Sequence, residues 1–153
     1  MRVLLAHPEQ WRQLVEDPSR IPGAIDEVLR YSGSIVAWRR KALKDAEVGG
    51  VAIPAGAELL LVMGSANRDE DRFDAGETFD IARENSREHL SFGFGIHYCL
   101  GNMLAKLQAR IVLEEIARLM PGVRLQEGAD IGFRENLSFR VPLEVPVTWK
   151  EAA

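Results

Sequence analysis

The segment that most limits what this chain can become lies between Cys99 and Pro121. Residues 100–120 read as one long helix, stopped by Pro121-Gly122. Within it Met103, Leu104, Leu107, Ile111, Val112, Leu113, Ile116, Leu119 and Met120 occupy more than one face of a 3.6-residue period. A helix patterned in this way has to be covered on several sides. The chain has 153 residues, 46% of them hydrophobic, which is enough for a real core. Its other elements, however, are short. The expectation is a core that includes material beyond these residues, in a chain truncated at its N-terminus.

Those other elements follow from local signals. Pro8 opens a short helix through Asp17, and Pro22 lies in the first turn of a second, Ile21 to Tyr31, which carries Ile25, Val28 and Leu29 on one side and ends at Gly33. Ile35 to Ala42, Ala46 to Val48, Val51 to Ile53 and Leu59 to Val62 read as short strands, punctuated by Gly49-Gly50 and Pro54-Ala-Gly56. They predict a small antiparallel sheet. Residues 65–90 are polar and irregular, with turns at Asn67-Arg68-Asp69 and Asp74-Ala-Gly76. A coil of that length is unusual unless it has a function. A final pair of strands is expected as a hairpin within residues 139–149. With no repeats and no linker-like stretch, residues 1–153 are expected to form a single partial domain, mainly α with small antiparallel β-sheets.

Charge and cysteine content narrow the function classes. Nineteen Lys and Arg against 23 Asp and Glu give a formal charge of -4, so nothing favours nucleic acid or an anionic membrane as partner. No window approaches the roughly 18 uninterrupted apolar residues of a membrane span, and a signal peptide's basic start is missing. A cytoplasmic location is therefore expected. A single cysteine excludes an intramolecular disulfide and any Cys-rich metal cluster.

That cysteine ends a glycine-rich loop, Phe92-Gly-Phe-Gly-Ile-His-Tyr-Cys-Leu-Gly101, just ahead of the long helix. Without context, a lone cysteine is more often a small buried hydrophobe. Here the context favours a thiolate: unpaired N–H groups at a helix start and the positive end of its dipole both lower a thiol pKa. Glycines let the backbone come close to a large flat cofactor. The loop lacks the Gly-Lys-Ser/Thr of a phosphate loop and the pattern of a dinucleotide fingerprint. A Cys99–His97 nucleophile pair lacks an orienting third group.

Phe92-Gly93-x-Gly95-x-His97-x-Cys99-x-Gly101 resembles, position for position, the cysteine signature of bacterial cytochromes P-450. The resemblance implies the C-terminal, haem-binding part of that fold, with Cys99 as the axial ligand to the iron of haem b, Phe92 beside the sulfur and His97 on a haem propionate. Glu27-Val-Leu-Arg30 resembles the family's Glu-x-x-Arg motif, a buried structural pair in that family. At the positions of its usual third partner this chain has Gly76-Glu-Thr78-Phe79, and Thr78 departs from the pattern; Arg83 sits where bacterial relatives often carry arginine. Arg40, or its neighbour Arg39, matches an arginine that pairs with a propionate. His7-Pro8-Glu9-Gln10, Ala66-Asn67-Arg68-Asp69 and Asn136-Leu-Ser-Phe139-Arg extend the likeness across nearly the whole chain.

By this resemblance the chain is part of a monooxygenase that inserts one atom of O2 into a small organic substrate. Electrons come from a ferredoxin or flavin reductase partner, for which Lys106 and Arg110 lie on the helix that receives such partners in the family. The family's oxygen-activating helix, with its acid and alcohol, has no counterpart in these residues, so no catalytic residue is assigned. The alternative is a truncated, non-catalytic haem-binding fragment or an inert gene remnant.

Overall fold

A computed structural model describes residues 1–149; the last four positions of the expected 1–153 domain lie outside the described residues. Four helices, α1 (Arg2–Leu5), α2 (Pro8–Glu16), α3 (Ile21–Ser32) and α5 (Asn102–Leu119), share one core with the irregular stretch, and Leu125 and Val147 of the last ladder pack against it. The first three are separated by tight turns, with Pro8 and Pro22 in the first turns of α2 and α3 as expected. Gly33 caps α3, and its extended backbone ends the helix there. α5 is the long helix, slightly shorter than the sequence pattern suggests.

The strands are β1 (Trp38–Lys41), β2 (Ala46–Val48), β3 (Val51–Ile53) and β4 (Glu58–Leu61). They form two separate antiparallel pairs, β1 with β4 and β2 with β3, where the sequence suggested one small sheet. Glu58–Leu61 leads into a single-turn helix, α4 (Met63–Ala66), and then into the irregular stretch. The C-terminal hairpin expected within residues 139–149 does not form. β6 (Val147–Thr148) pairs instead with β5 (Arg124–Leu125), just beyond the end of α5. Phe139 bridges back to Ile35, and Pro142 to Phe133. Phe139 and Val147 take backbone partners distant in sequence and Pro142 pairs back to Phe133, so no tight turn closes a hairpin within residues 139–149.

The core joins Val3, Leu4, Leu5, Trp11, Leu14, Ile21, Ala24 and Ile25 to Phe79 and Ile81 of the irregular stretch and to Leu113, Ala117 and Val123. The Trp11 indole N–H donates to the Pro121 carbonyl (3.0 Å), tying α2 to the stop signal of α5. Only Leu113 and Ala117 of α5 are buried. Leu100, Met103, Leu104, Leu107, Ile111, Val112 and Leu119 are each more than half exposed. The expected burial of α5 on several sides is therefore not met by the described residues. Its apolar surplus lies on the surface.

Candidate haem-thiolate site

The irregular stretch is held by side chains standing in for neighbouring strands. Glu27 and Arg30, one turn apart on α3, are both fully buried. Arg30 Nε and Nη2 donate to the two Glu27 carboxylate oxygens at 2.7 and 2.8 Å. Nη1 reaches the carbonyls of Asn67 and Gly76, each at 2.8 Å, and Nη2 reaches that of Thr78 at 3.0 Å. A guanidinium has five N–H donors in a fixed fork, and all five are used here. Glu27 also accepts the Asp80 N–H (3.0 Å) and faces Arg83 Nε (3.4 Å).

Arg83 thus joins Glu27 and Arg30 as the third member of the group. Its guanidinium also donates to the carbonyls of Asp74 (2.6 Å), Ala75 (3.2 Å) and Thr78 (3.2 Å). Thr78, the departure from the family pattern, takes part through its backbone oxygen, so its side chain is not called upon. Gly76 is needed for close approach: a Cβ there would lie 2.4 Å from the Arg68 carbonyl oxygen. Gln10 clamps the next turn, donating to the Phe79 carbonyl (2.8 Å) and accepting the Ile81 N–H (2.9 Å).

From that frame the chain enters the cysteine loop. Asn67 accepts the Leu90 N–H (2.6 Å) and donates to the Ser91 hydroxyl (2.9 Å), which in turn donates to the Leu29 carbonyl of α3 (2.6 Å). Gly93 and Gly95 have φ of 75° and 69°, in the left-handed region that favours glycine. Their turns let the loop fold back so that the Cys99 N–H donates to the Phe92 carbonyl (2.9 Å). Residues 95–97 make one 3-10 turn, Gly101 caps α5, and Cys99 is exposed.

The Cys99 loop opens onto a cavity of about 690 Å³. Ile25, Val28 and Leu29 of α3 and Ala105, Ala109 and Val112 of α5 give it apolar walls, while Phe92, Gly93, His97 and Cys99 line the loop side. Arg40 lines it from β1, and Arg39 does not. A large apolar slot with one thiol and cationic groups fits an apolar macrocycle bearing iron and carboxylates. Residues expected at such a site from the sequence, Cys99, His97, Arg40, Phe92 and Gly93, are brought together. Gly95 and Gly101 shape the loop from outside the lining, and Glu27, Arg30 and Arg83 sit behind it as structural supports.

Lys106 and Arg110 do not form a free basic surface. Lys106 turns inward to line the cavity, with its ammonium 2.6 Å from Asp26 Oδ1 on α3. Arg110 is engaged one turn on by Glu114 (2.7 Å). Asp26, His89 and Asn67 escaped the sequence reading as site residues. Asn67 lies within the family-like Ala66-Asn67-Arg68-Asp69 stretch, and Asp26 directly precedes Glu27. Burial raises the Asp26 carboxyl, but contacts with His89 and Lys106 outweigh this and hold it below its ordinary value.

No helix among the described residues is long and apolar enough to cross a membrane. Known proteins share much of this sequence and its fold. A family model described as Cytochrome P450 matches residues 21–119. The chain is 38% identical over 148 residues to the 20-oxo-5-O-mycaminosyltylactone 23-monooxygenase of Streptomyces fradiae, covering 96% of this chain and 35% of that protein. It is 40% identical to the 6-deoxyerythronolide B hydroxylase of Saccharopolyspora erythraea, covering 95% and 36% of the two chains. Among solved structures, cytochrome P450 CREJ in complex with (4-ethylphenyl) dihydrogen phosphate is 72% identical with a TM-score of 0.95, covering 97% of this chain and 37% of that one. The chain thus spans a little over a third of the length of the relatives it matches. With the family model and these likenesses in agreement, the chain belongs to the cytochrome P450 family.

Proposed function

We propose that this chain is the haem-thiolate portion of a monooxygenase, with Cys99 as the axial ligand to the iron of haem b. The observation that carries the proposal is the Cys99 loop closed on the Phe92 carbonyl at the mouth of an apolar cavity. When bound, the haem supplies the oxygen chemistry, and a thiolate ligand donates electron density that favours O–O cleavage. Cys99 would hold the iron, and His97 and Arg40 would bind the propionates. The Phe92 ring would exclude water from the sulfur. Glu27, Arg30 and Arg83 keep the preceding stretch fixed, so that the loop presents its sulfur in one position.

The substrate is a small organic molecule hydroxylated with one atom of O2. The 72% identity to a P450 crystallised with an aryl phosphate ester makes that class the first to test. Electrons would come from a ferredoxin or flavin reductase; a 45% identical relative is described as self-sufficient, so the source differs even among near relatives. The location expected is cytoplasmic, without nucleic acid or membrane as partner. The exposed apolar face of α5 favours a second reading, that the chain alone binds haem without turning over substrate.

The test is the visible spectrum of the chain expressed with haem, reduced and exposed to carbon monoxide. A strongly red-shifted Soret band that disappears in Cys99→Ala is expected. A free-haem spectrum would refute the proposal for this chain, and a thiolate spectrum without turnover of an aryl phosphate would support the second reading.

A further inference from the structure

A charge cluster outside the motif residues bridges three elements behind the cysteine loop. Asp26 on α3 faces Lys106 on α5 at 2.6 Å and His89, just ahead of the loop, at 3.7 Å. His89 is 7% exposed. Its Nδ1 accepts the Ser91 N–H (3.2 Å), which places the ring proton of the neutral imidazole on Nε2, the atom turned toward Asp26. That nitrogen is buried and has no hydrogen-bond partner among the described residues. Both cluster partners also meet the Phe92 ring: the Lys106 ammonium stands 5.9 Å from its centroid, and the His89 ring 5.7 Å. Phe92 is the residue whose carbonyl receives the Cys99 N–H.

We infer that Asp26 is a positioning residue that holds the Lys106 ammonium against the Phe92 ring and neutralises it there, so setting the electrostatic environment of the Cys99 site. The inference rests on the haem-thiolate reading of that site. Lys106 lines the same cavity as Cys99 and is about one-third exposed, so its charge acts through a partly apolar medium in which Coulomb terms exceed those in water. A cation stabilises the reduced, more electron-rich centre, and a compensating carboxylate cancels that effect. The pair as built is close to neutral in itself, so it adds little net charge to a site that Arg40 also lines. Removing either partner exposes a net charge of one sign or the other.

The experiment is a spectroelectrochemical titration of the haem-loaded chain and three variants. Asp26→Asn leaves Lys106 uncompensated and is expected to raise the reduction potential. Lys106→Met leaves Asp26 uncompensated and is expected to lower it. The Asp26→Asn/Lys106→Met double variant is expected to return toward wild type, since charge neutrality is restored. Asp26→Glu, which keeps the charge, is expected to stay near wild type and to hold the fold if Asn does not. A merely structural cluster would move both single variants the same way, or neither, and would make the double variant worst; any of these results overturns the inference. The reduced carbon monoxide spectrum of the wild-type chain separates the two proposals: a red-shifted band with no opposed shifts refutes the role of Asp26 alone, and its absence in wild type refutes both.

Discussion

Replacing Arg30 by lysine keeps the charge and removes only the fork. The native guanidinium uses five N–H groups on Glu27 and on the carbonyls of Asn67, Gly76 and Thr78. An ammonium has three donors, so at least two of these five bonds are lost, in a place where Arg30 and Glu27 are fully buried. Each buried acceptor left unsatisfied costs about 1–3 kcal/mol, which gives roughly 2–6 kcal/mol in all. Against a typical domain stability of about 5–15 kcal/mol that is a large fraction. At about 2–4 °C per kcal/mol for a chain of this size, the midpoint should fall by roughly 4–24 °C. Thermal unfolding followed by circular dichroism measures it directly. An Arg30→Lys midpoint within a degree of wild type would refute the reasoning, because it would mean that charge alone, and not the five-donor geometry, holds the irregular stretch.

Four further outcomes are expected. Glu27→Gln leaves two arginines facing a neutral amide and should abolish haem incorporation, read as the haem-to-protein absorbance ratio; full occupancy would contradict the structural role of the pair. Gly76→Ala puts a methyl 2.4 Å from the Arg68 carbonyl oxygen and should cost about 1–3 kcal/mol by chemical denaturation, whereas an unchanged midpoint would mean that this backbone yields freely. Because the folded Asp26 carboxyl titrates below its unfolded value, its contribution is present above about pH 4 and is lost as the pH falls through the folded pKa; the stability gap between wild type and Asp26→Asn should therefore close in acid, and a gap unchanged from neutral to acid pH would exclude that linkage. The uncovered face of α5 should bind a hydrophobic dye strongly, and weak binding by a monomeric chain would show that this face is covered in solution.

What could be read from sequence alone was whatever lies contiguous in it. The Phe92–Gly101 signature and the Glu27–Arg30 spacing each declare their chemistry within a few residues, and helix starts at Pro8 and Pro22 are local signals. The partners of Arg30 could not be read, because three of them are backbone carbonyls 37 to 48 residues away, supplied by any residue type. Thr78 looked like a broken motif for that reason. The pairing of β6 with β5 was hidden because no turn marks a ladder between strands more than twenty residues apart. Lys106 is expected from the resemblance to face a redox partner, since its helical position alone does not reveal that Asp26 stands opposite.

Among the described residues no strand pairs with the stretch from Asp74 to Ile81, and the side chains of Gln10, Arg30 and Arg83 take the place of one by bonding its main chain. This separates the information that specifies the segment from the segment itself. Over an evolutionary time scale, many of its own side chains are free to drift, because what is gripped is common to every residue. The constraint falls on a few distant positions whose alteration cannot be rescued by changing the gripped residues, and a saturation mutagenesis map should record it as tolerance at Glu77 and Thr78 beside intolerance at Arg30.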